Sequence, residues 1–385
     1  MAANQPDPFR ILSIQSHVVS GFVGNRSATF PLQLLGWDVD VANTVQFSNH
    51  TGYGRWGGQR FDSDHMSDLF VNLERNGLLR YSRMLTGYMP SSAVVSAVKD
   101  LVERQRRKNP DLIYLLDPVM GDMGRGMYVD KSVLPIYKQM LPLSTIVCPN
   151  QFEAQILSGL EIRGLESLKE VLLSLHLDHG VRHVLITSVE LPEQDLEAIG
   201  ARRTMEEDGR PAMLLVGSSL EPRSSSEKFE DRGVAKDLKP WFIQFPEVQG
   251  YFSGVGDLFA ALTLGRFQPP TRNNSSPADG SEEGGGEYCG TAVAKAAEQA
   301  IASLQGVLAK TCKVIEEQER LDSERGSKGE GDSLNKGEVD EAVSQIEARV
   351  EMMRRRELRI VQSREEIERP VVKYRARWLR DSRLG

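Results

Sequence analysis

Over the first two-thirds of the chain, short apolar runs alternate with amphipathic stretches. The runs at 11–15, 39–45, 84–86, 112–116, 145–148, 183–187 and 213–216 are apolar nearly throughout and predict strands buried on both faces. Between them, 92–108 sets Val94, Val98, Leu101 and Val102 at i, i+4, i+7 and i+8, the spacing of one helix face, and 165–177 is similar. Such alternation predicts an α/β fold: a mainly parallel central sheet covered by helices on both faces, with right-handed crossovers. From Asp257 onward the pattern turns helical, most clearly over 291–317, where Ile301, Leu304, Leu308, Cys312 and Ile315 share a face. Near the end, Val372, Tyr374, Ala376 and Trp378 alternate with Lys373, Arg375 and Arg377, which predicts a half-buried edge strand.

Residues 9–380 read as one domain, with a flexible N-terminus at 1–8. Two segments break the pattern. Residues 268–287 are rich in Pro, Asn, Ser, Gly and Glu, and 322–338 in Ser, Gly, Lys and Glu. With little apolar surface to bury, both are expected to be disordered surface insertions. The charged stretch 190–210 reads as a loop. The basic cluster Arg104, Arg106, Arg107 and Lys108 ends a predicted helix, where positive charge is favoured, and reads as a solvated helix end.

Composition narrows the function class. The chain has 385 residues, 40% hydrophobic and 26% charged, the profile of a soluble protein. A net charge of −7 argues against general nucleic-acid binding. No apolar run approaches the roughly 20 residues that cross a bilayer, and residues 1–10 hold no apolar signal core. Three cysteines, Cys148, Cys289 and Cys312, fall in no metal or disulfide spacing, which suits a reducing, cytoplasmic setting.

Candidate chemistry gathers at strand ends. Gly254-Val255-Gly256-Asp257 follows a segment, 251–253, expected to be extended, and opens an apolar helical run. Two glycines at such a turn let the backbone approach an anion and aim free N–H groups and the positive helix end at it. A carboxylate beside that nest could accept the proton of an attacking alcohol, the arrangement phosphoryl transfer needs; Asp257 could equally be a helix cap. Asn150 and Glu153 either form a capping box or bring a carboxylate to a strand's carboxyl end, where Mg²⁺ could be held through water. Asp117 and Asp122 flank a Pro and a Gly that could simply make a turn, yet they fall at the same sheet edge. Residues 46–58, with glycines between aromatics and hydroxyls, suit a flap over a flat polar ring. A lone histidine such as His50 is more often structural than in contact with substrate.

These segments resemble the pyridoxal kinases. The resemblance rests on Ser-Ile-Gln-Ser-His-Val at 13–18, Gly-Asn-Arg-Ser-Ala-Thr-Phe-Pro-Leu-Gln at 24–33 and Val-Gln-Phe-Ser-Asn-His-Thr-Gly-Tyr at 45–53. Leu-Thr-Gly-Tyr at 85–88, Asp-Pro-Val-Met-Gly-Asp at 117–122, Pro-Asn-Gln-Phe-Glu-Ala at 149–154, Gly-Val-Gly-Asp-Leu-Phe-Ala-Ala at 254–261 and Leu-Arg-Ile-Val-Gln-Ser at 358–363 extend it. It implies a three-layer α/β/α ribokinase-like fold, a homodimer, and ATP-dependent phosphorylation of the 5′-hydroxymethyl group of pyridoxal, pyridoxine and pyridoxamine. Asp257 would then be the base, and Gly254, Val255 and Gly256 the anion hole. Ser16 and Thr51 would bind the ring's polar atoms, with Val23, Phe47 and Tyr88 packing on it. Asp117, Asn150, Thr187 and Ser188 would line the ATP phosphates, Val248 the adenine, and Tyr128 would lie in a loop closing over ATP. Asp122 and Glu153 would hold Mg²⁺; Asp117, the Cys148 carbonyl and Thr187 would hold a monovalent cation such as K⁺.

The chain departs from the family in places. Val255 and Cys148 stand where members often carry Thr, which removes two hydroxyls, and the loop 121–128 is short and carries Arg125. The rival readings are a hydroxymethylpyrimidine kinase of the same superfamily, or a vitamin-binding protein without catalysis.

Overall fold

The structure, a computed structural model, describes residues 6–220, 238–269, 287–326, 338–380 and 382. The chain begins β1 (Asp7–Val18), α1 (Asn25–Leu34), β2 (Asp38–Phe47), β3 (Gly58–Arg60), α2 (Ser63–Arg75), β4 (Tyr81–Thr86), α3 (Ser92–Lys108) and β5 (Ile113–Leu116). A hairpin, β6 (Gly121–Asp122) and β7 (Gly126–Met127), precedes α4 (Leu134–Met140), β8 (Ile146–Val147), α5 (Gln151–Ser158), α6 (Leu165–Leu177) and β9 (His183–Ile186). The remainder is α7 (Glu193–Ala198), β10 (Ala212–Ser219), β11 (Trp241–Pro246), α8 (Val255–Arg266), α9 (Ala292–Gly326), α10 (Glu338–Arg355), α11 (Arg364–Glu368) and β12 (Arg377–Trp378).

Ten strands form one sheet in the order β12-β11-β10-β9-β8-β5-β4-β1-β2-β3. Its centre, from β9 to β2, is parallel, and antiparallel strands flank it on both sides. The parallel strands are the apolar runs of the sequence, because helices cover both of their faces. Helices α2 to α6 bury Met66, Phe70, Val98, Leu101, Ala154 and Leu172 on one side. On the other, α1, α8 and α9 bury Leu32, Leu258, Leu262, Ile301 and Leu304. Three layers result, and the carboxyl ends of the parallel strands all point to one edge.

Several expectations need correction. Of the N-terminus at 1–8, residues 1–5 lie outside the described residues, while Asp7 and Pro8 already belong to β1, the Asp7 N–H donating to Arg80 O at 2.9 Å. Residues 251–253 are not a strand; β11 ends at Pro246. The stretch 190–210 contains α7, held because the buried Asp195 carboxylate accepts from Leu165 N at 3.0 Å. The closing alternation is present, but only Arg377–Trp378 pairs, against β11 at the sheet edge. The insertions at 268–287 and 322–338 lie mostly outside the described residues; at the margins of the second, α9 runs on to Gly326 and α10 opens at Glu338. Arg106 is not a solvated charge. It donates to Leu143 O at 2.7 Å and Leu112 O at 2.9 Å, tying the end of α3 to the segments around β5 and β8.

β10 and β11 meet through a forced choice. Gly217 pairs with Trp241, and a Cβ at 217 would sit 2.2 Å from the indole ring of this fully buried tryptophan. Gly217→Ala must therefore expel the ring or part the strands. The expected cost is about 1–3 kcal/mol, read as a lower urea midpoint with an unchanged slope.

Candidate active site

The carboxyl edge of the sheet holds a cavity of about 620 Å³. Strand order decides which residues meet there. β1, β2 and β4 bring Ser16, Val18, Val45, Phe47 and Tyr88 to one end; β5, β8 and β9 bring Asp117, Cys148, Asn150 and Thr187 to the other. Val18, Val45 and Phe47 are buried and form an apolar cluster with Val23 and Tyr88 packed against it. A one-residue bulge helps set this wall: register slips between Gln15 and Ser16, leaving Thr44 of β2 unpaired. The buried Thr44 hydroxyl donates to Tyr88 O at 2.7 Å and joins the two segments.

Helix α8 enters the cavity at its N-terminus. Its cap, Gly254, has φ 83°, and a Cβ there would lie 1.9 Å from Phe22 O, so only glycine lets the helix seat this deeply. The first-turn N–H groups of Val255, Gly256 and Asp257 have no earlier carbonyl in the helix to bond, which makes them anion donors. Asp257 Oδ2 accepts from Gly24 N at 2.8 Å. Burial raises its pKa above the ordinary aspartate value and the Gly24 N–H only partly offsets this, whereas the helix end alone would have lowered it.

Two further carboxylates face the cavity. Asp117 is buried, and burial, then the charges of Glu153 and Asp257, push its pKa well up. Glu153 is 3% exposed and forms the capping box with Asn150. Its Oε2 accepts from Asn150 N at 3.0 Å, and its Oε1 from Met120 N at 2.8 Å and Gly121 N at 3.3 Å. Burial still raises it to about 7 against these bonds. Glu153 thus caps α5 and also lines the cavity as an acid. A buried acidic set of this kind is one a cation would stabilise. No three His, Cys, Asp or Glu among the described residues come together as a metal-ligand group, so an ion here would complete its shell with water or ligand oxygens.

Not every expected residue reaches the cavity. Thr51, Tyr128, Val255 and Gly256 line it with those already named; Asp122, Ser188 and Val248 do not. Asp122 spends its carboxylate on its own turn: Oδ1 accepts from Gly124 N at 3.1 Å and Arg125 N at 2.8 Å, and Oδ2 takes the Tyr128 hydroxyl. Val248 packs instead against the apolar layer that holds α8.

Sequence reading missed Glu357. Its Oε1 accepts from Tyr53 Oη at 2.9 Å and lies 3.2 Å from His50 Nε2, while Oε2 accepts from Phe22 N at 3.0 Å. Burial alone would raise this carboxyl, but His50, Tyr53 and Phe22 together hold it below the usual range. His50 Nδ1 lies 3.3 Å from Ser253 Oγ, so one carboxylate links the flap, the β1–α1 loop and the loop before Gly254. The only sequence signal was the motif at 358–363, which begins one residue later. Glu357→Ala leaves Phe22 N–H without its acceptor, at about 1–3 kcal/mol. Local opening should follow: tryptic cleavage after Arg55 and Arg60, timed by mass spectrometry, is expected to speed up about tenfold or more.

The comparisons agree with the geometry. The family model described as phosphomethylpyrimidine kinase matches residues 79–208. The chain is 40% identical over 259 residues to a pyridoxal kinase of Homo sapiens, covering 66% of this chain and 76% of that one. It is 35% identical over 373 residues to a pyridoxal kinase of Arabidopsis thaliana, covering 96% and 94%. Among solved structures, a pyridoxal kinase from Leishmania donovani in complex with ADP and pyridoxamine superposes with a TM-score of 0.68 at 27% identity, over 96% of this chain and 99% of that one. Near end-to-end similarity to the plant enzyme, with a nest, an acid and an apolar ring wall at one sheet edge, places this chain in the pyridoxal kinase family.

Proposed function

We propose that the chain phosphorylates the 5′-hydroxymethyl group of pyridoxal, and of pyridoxine and pyridoxamine, with ATP as donor. One observation carries this reading: the first turn of α8 puts a carboxylate beside a helix-end anion nest in the same cavity as the Val18–Val45–Phe47 wall. The flat vitamin ring packs on that wall, with Val23 and Tyr88 beside it and Ser16 and Thr51 hydrogen-bonding its polar atoms. ATP lies toward β5, β8 and β9, where Asp117, Asn150, Thr187 and Tyr128 meet it. Asp257 takes the alcohol proton as the oxygen attacks the γ-phosphorus, and the N–H groups of Val255 to Asp257 hold the phosphoryl oxygens.

The cavity acids suit cations. Asp117 and Glu153 would hold Mg²⁺ through its waters, and Asp117, the Cys148 carbonyl and Thr187 would hold a monovalent ion such as K⁺. Bound there, Mg²⁺ neutralises charge on the transferring phosphate. Asp122 is left out of this set, because it does not line the cavity. The reading includes a homodimer and a cytoplasmic setting; Cys148, Cys289 and Cys312 are all free thiols.

A coupled ADP-release assay across the three vitamers tests the activity. Hydroxymethylpyrimidine belongs in the panel, because the matched family model names that chemistry; its window, 79–208, contains neither the flap nor the Gly254 turn. Pyridoxal is expected to be turned over and hydroxymethylpyrimidine poorly or not at all.

Asp257→Asn keeps size and shape but removes the base. Turnover is expected to fall at least about a hundredfold with ligand dissociation constants little changed. The wild type should also lose kcat/KM as pH falls through the Asp257 pKa. Burial lifts that value, so the acid limb should sit above the ordinary aspartate range, and Asp257→Asn should abolish it.

A further inference from the structure

The charge inside this cavity does not balance for a nucleotide. Asp117, Glu153 and Asp257 all line it. ATP would add about four negative charges beside them, and Mg²⁺ with one monovalent ion would return only about three. Two arginines line the cavity, Arg60 and Arg125. Arg60 belongs to β3 and its guanidinium carbon sits 5.2 Å over the Phe47 ring, at the end we assign to the vitamin. Arg125 belongs to the β6–β7 turn that follows β5, on the nucleotide side.

Arg125 is presented rather than loose. Its backbone N–H is one of the two held by Asp122 Oδ1, so the acid once expected to ligate Mg²⁺ instead shapes the turn that carries the arginine. Its guanidinium carbon lies 4.2 Å from the centroid of Tyr251, a residue in the loop that leads to Gly254. The contact places the cation over the aromatic ring. Among the described residues its side chain makes no hydrogen bond, so its planar fork of N–H donors is available to a bidentate acceptor. Among the described residues no carboxylate lies within 4.0 Å of this guanidinium.

We propose that Arg125 is a further catalytic residue, donating from the edge of its Tyr251-stacked guanidinium to the phosphate oxygens of ATP. This rests on the kinase reading above. As the vitamin oxygen bonds to the γ-phosphorus, the bond to the β–γ bridging oxygen breaks and its electron pair goes to ADP. The alcohol proton goes to Asp257. Arg125 meets the charge that grows on the phosphate side, and it does so from a residue that also touches the anion-hole loop.

The test uses the full chain with Arg125→Ala, Arg125→Lys and Tyr251→Leu. Arg125→Ala is expected to lower kcat at least about tenfold and to weaken a non-hydrolysable ATP analogue by a similar factor. KM for pyridoxal and inhibition by adenosine, which lacks phosphate, should stay within about twofold. Arg125→Lys keeps the charge but not the flat stacked fork, and should recover only part of the loss; Tyr251→Leu should weaken the analogue in the same direction. Unchanged analogue binding in folded Arg125→Ala overturns the proposal. Equal weakening of adenosine and the analogue overturns it too, because the residue would then merely hold the loop. Should the wild type fail to phosphorylate pyridoxal, the kinase reading falls, while analogue titration still decides Arg125.

Discussion

Everything at the site hangs on how deeply α8 is seated. A Cβ on Gly254 would strike Phe22 O, and one on Gly24 would come within 2.1 Å of Ser16 O. The two glycines let the end of β1 and the start of α8 interlock at backbone distance, and the bond from Gly24 N to Asp257 spans that contact. The apolar wall and the carboxylate are thus positioned by one interaction rather than two. The far end of the helix is pinned as well. Buried Arg83 donates to Leu264 O, and Trp37 Nε1 donates to Gly265 O at 3.0 Å, which supplies positive charge and donors where the helix needs them. A helix fixed at both ends cannot slide, so its dipole and first-turn N–H groups are aimed before any ligand arrives.

The second organising force is the acidity of the cavity floor. Asp117 and Glu153 are buried with raised pKa values, a destabilising arrangement that packing elsewhere must offset. Its function follows from the same physics. A site with unfavourably placed negative charge gains by binding cations, which relieve the repulsion among its acids. The surrounding layers of buried Leu, Val and Ile tolerate this because they do not share in it.

How much of this was legible depended on the range of each interaction. Helices α3 and α6 fall at 92–108 and 165–177 as periodicity predicted, because their burial is local and repetitive. The parallel strands were legible for the same reason, and the Gly254 turn because it needs particular residues in sequence. β11 was missed, although Trp241, Phe242, Ile243 and Phe245 are all buried, and β3, exposed along its length, gave no apolar signal. Asp122, expected at the cation, instead hydrogen-bonds its own turn: an Asp beside Gly and near Tyr128 can do so, and spacing alone does not show where its oxygens go. Glu357 could not be found at all, since its partners lie hundreds of residues away and no spacing rule reaches that far.

That distance has a consequence in time. Glu357 closes contacts across 304 residues to Tyr53 and 335 residues to Phe22. At about 5–20 residues per second, a ribosome completes the flap and the β1–α1 loop roughly 15–60 s before it adds the carboxylate that joins them. During that interval the chain adds β4, β5, β8 and β9 and then the Asp257 turn, while residues 46–58 and the β1–α1 loop still lack the carboxylate that joins them. A translation product stopped between α9 and Glu357 would inherit the same condition permanently: the Gly254 turn and the cavity acids present, and residues 46–58 without the carboxylate that ties them down.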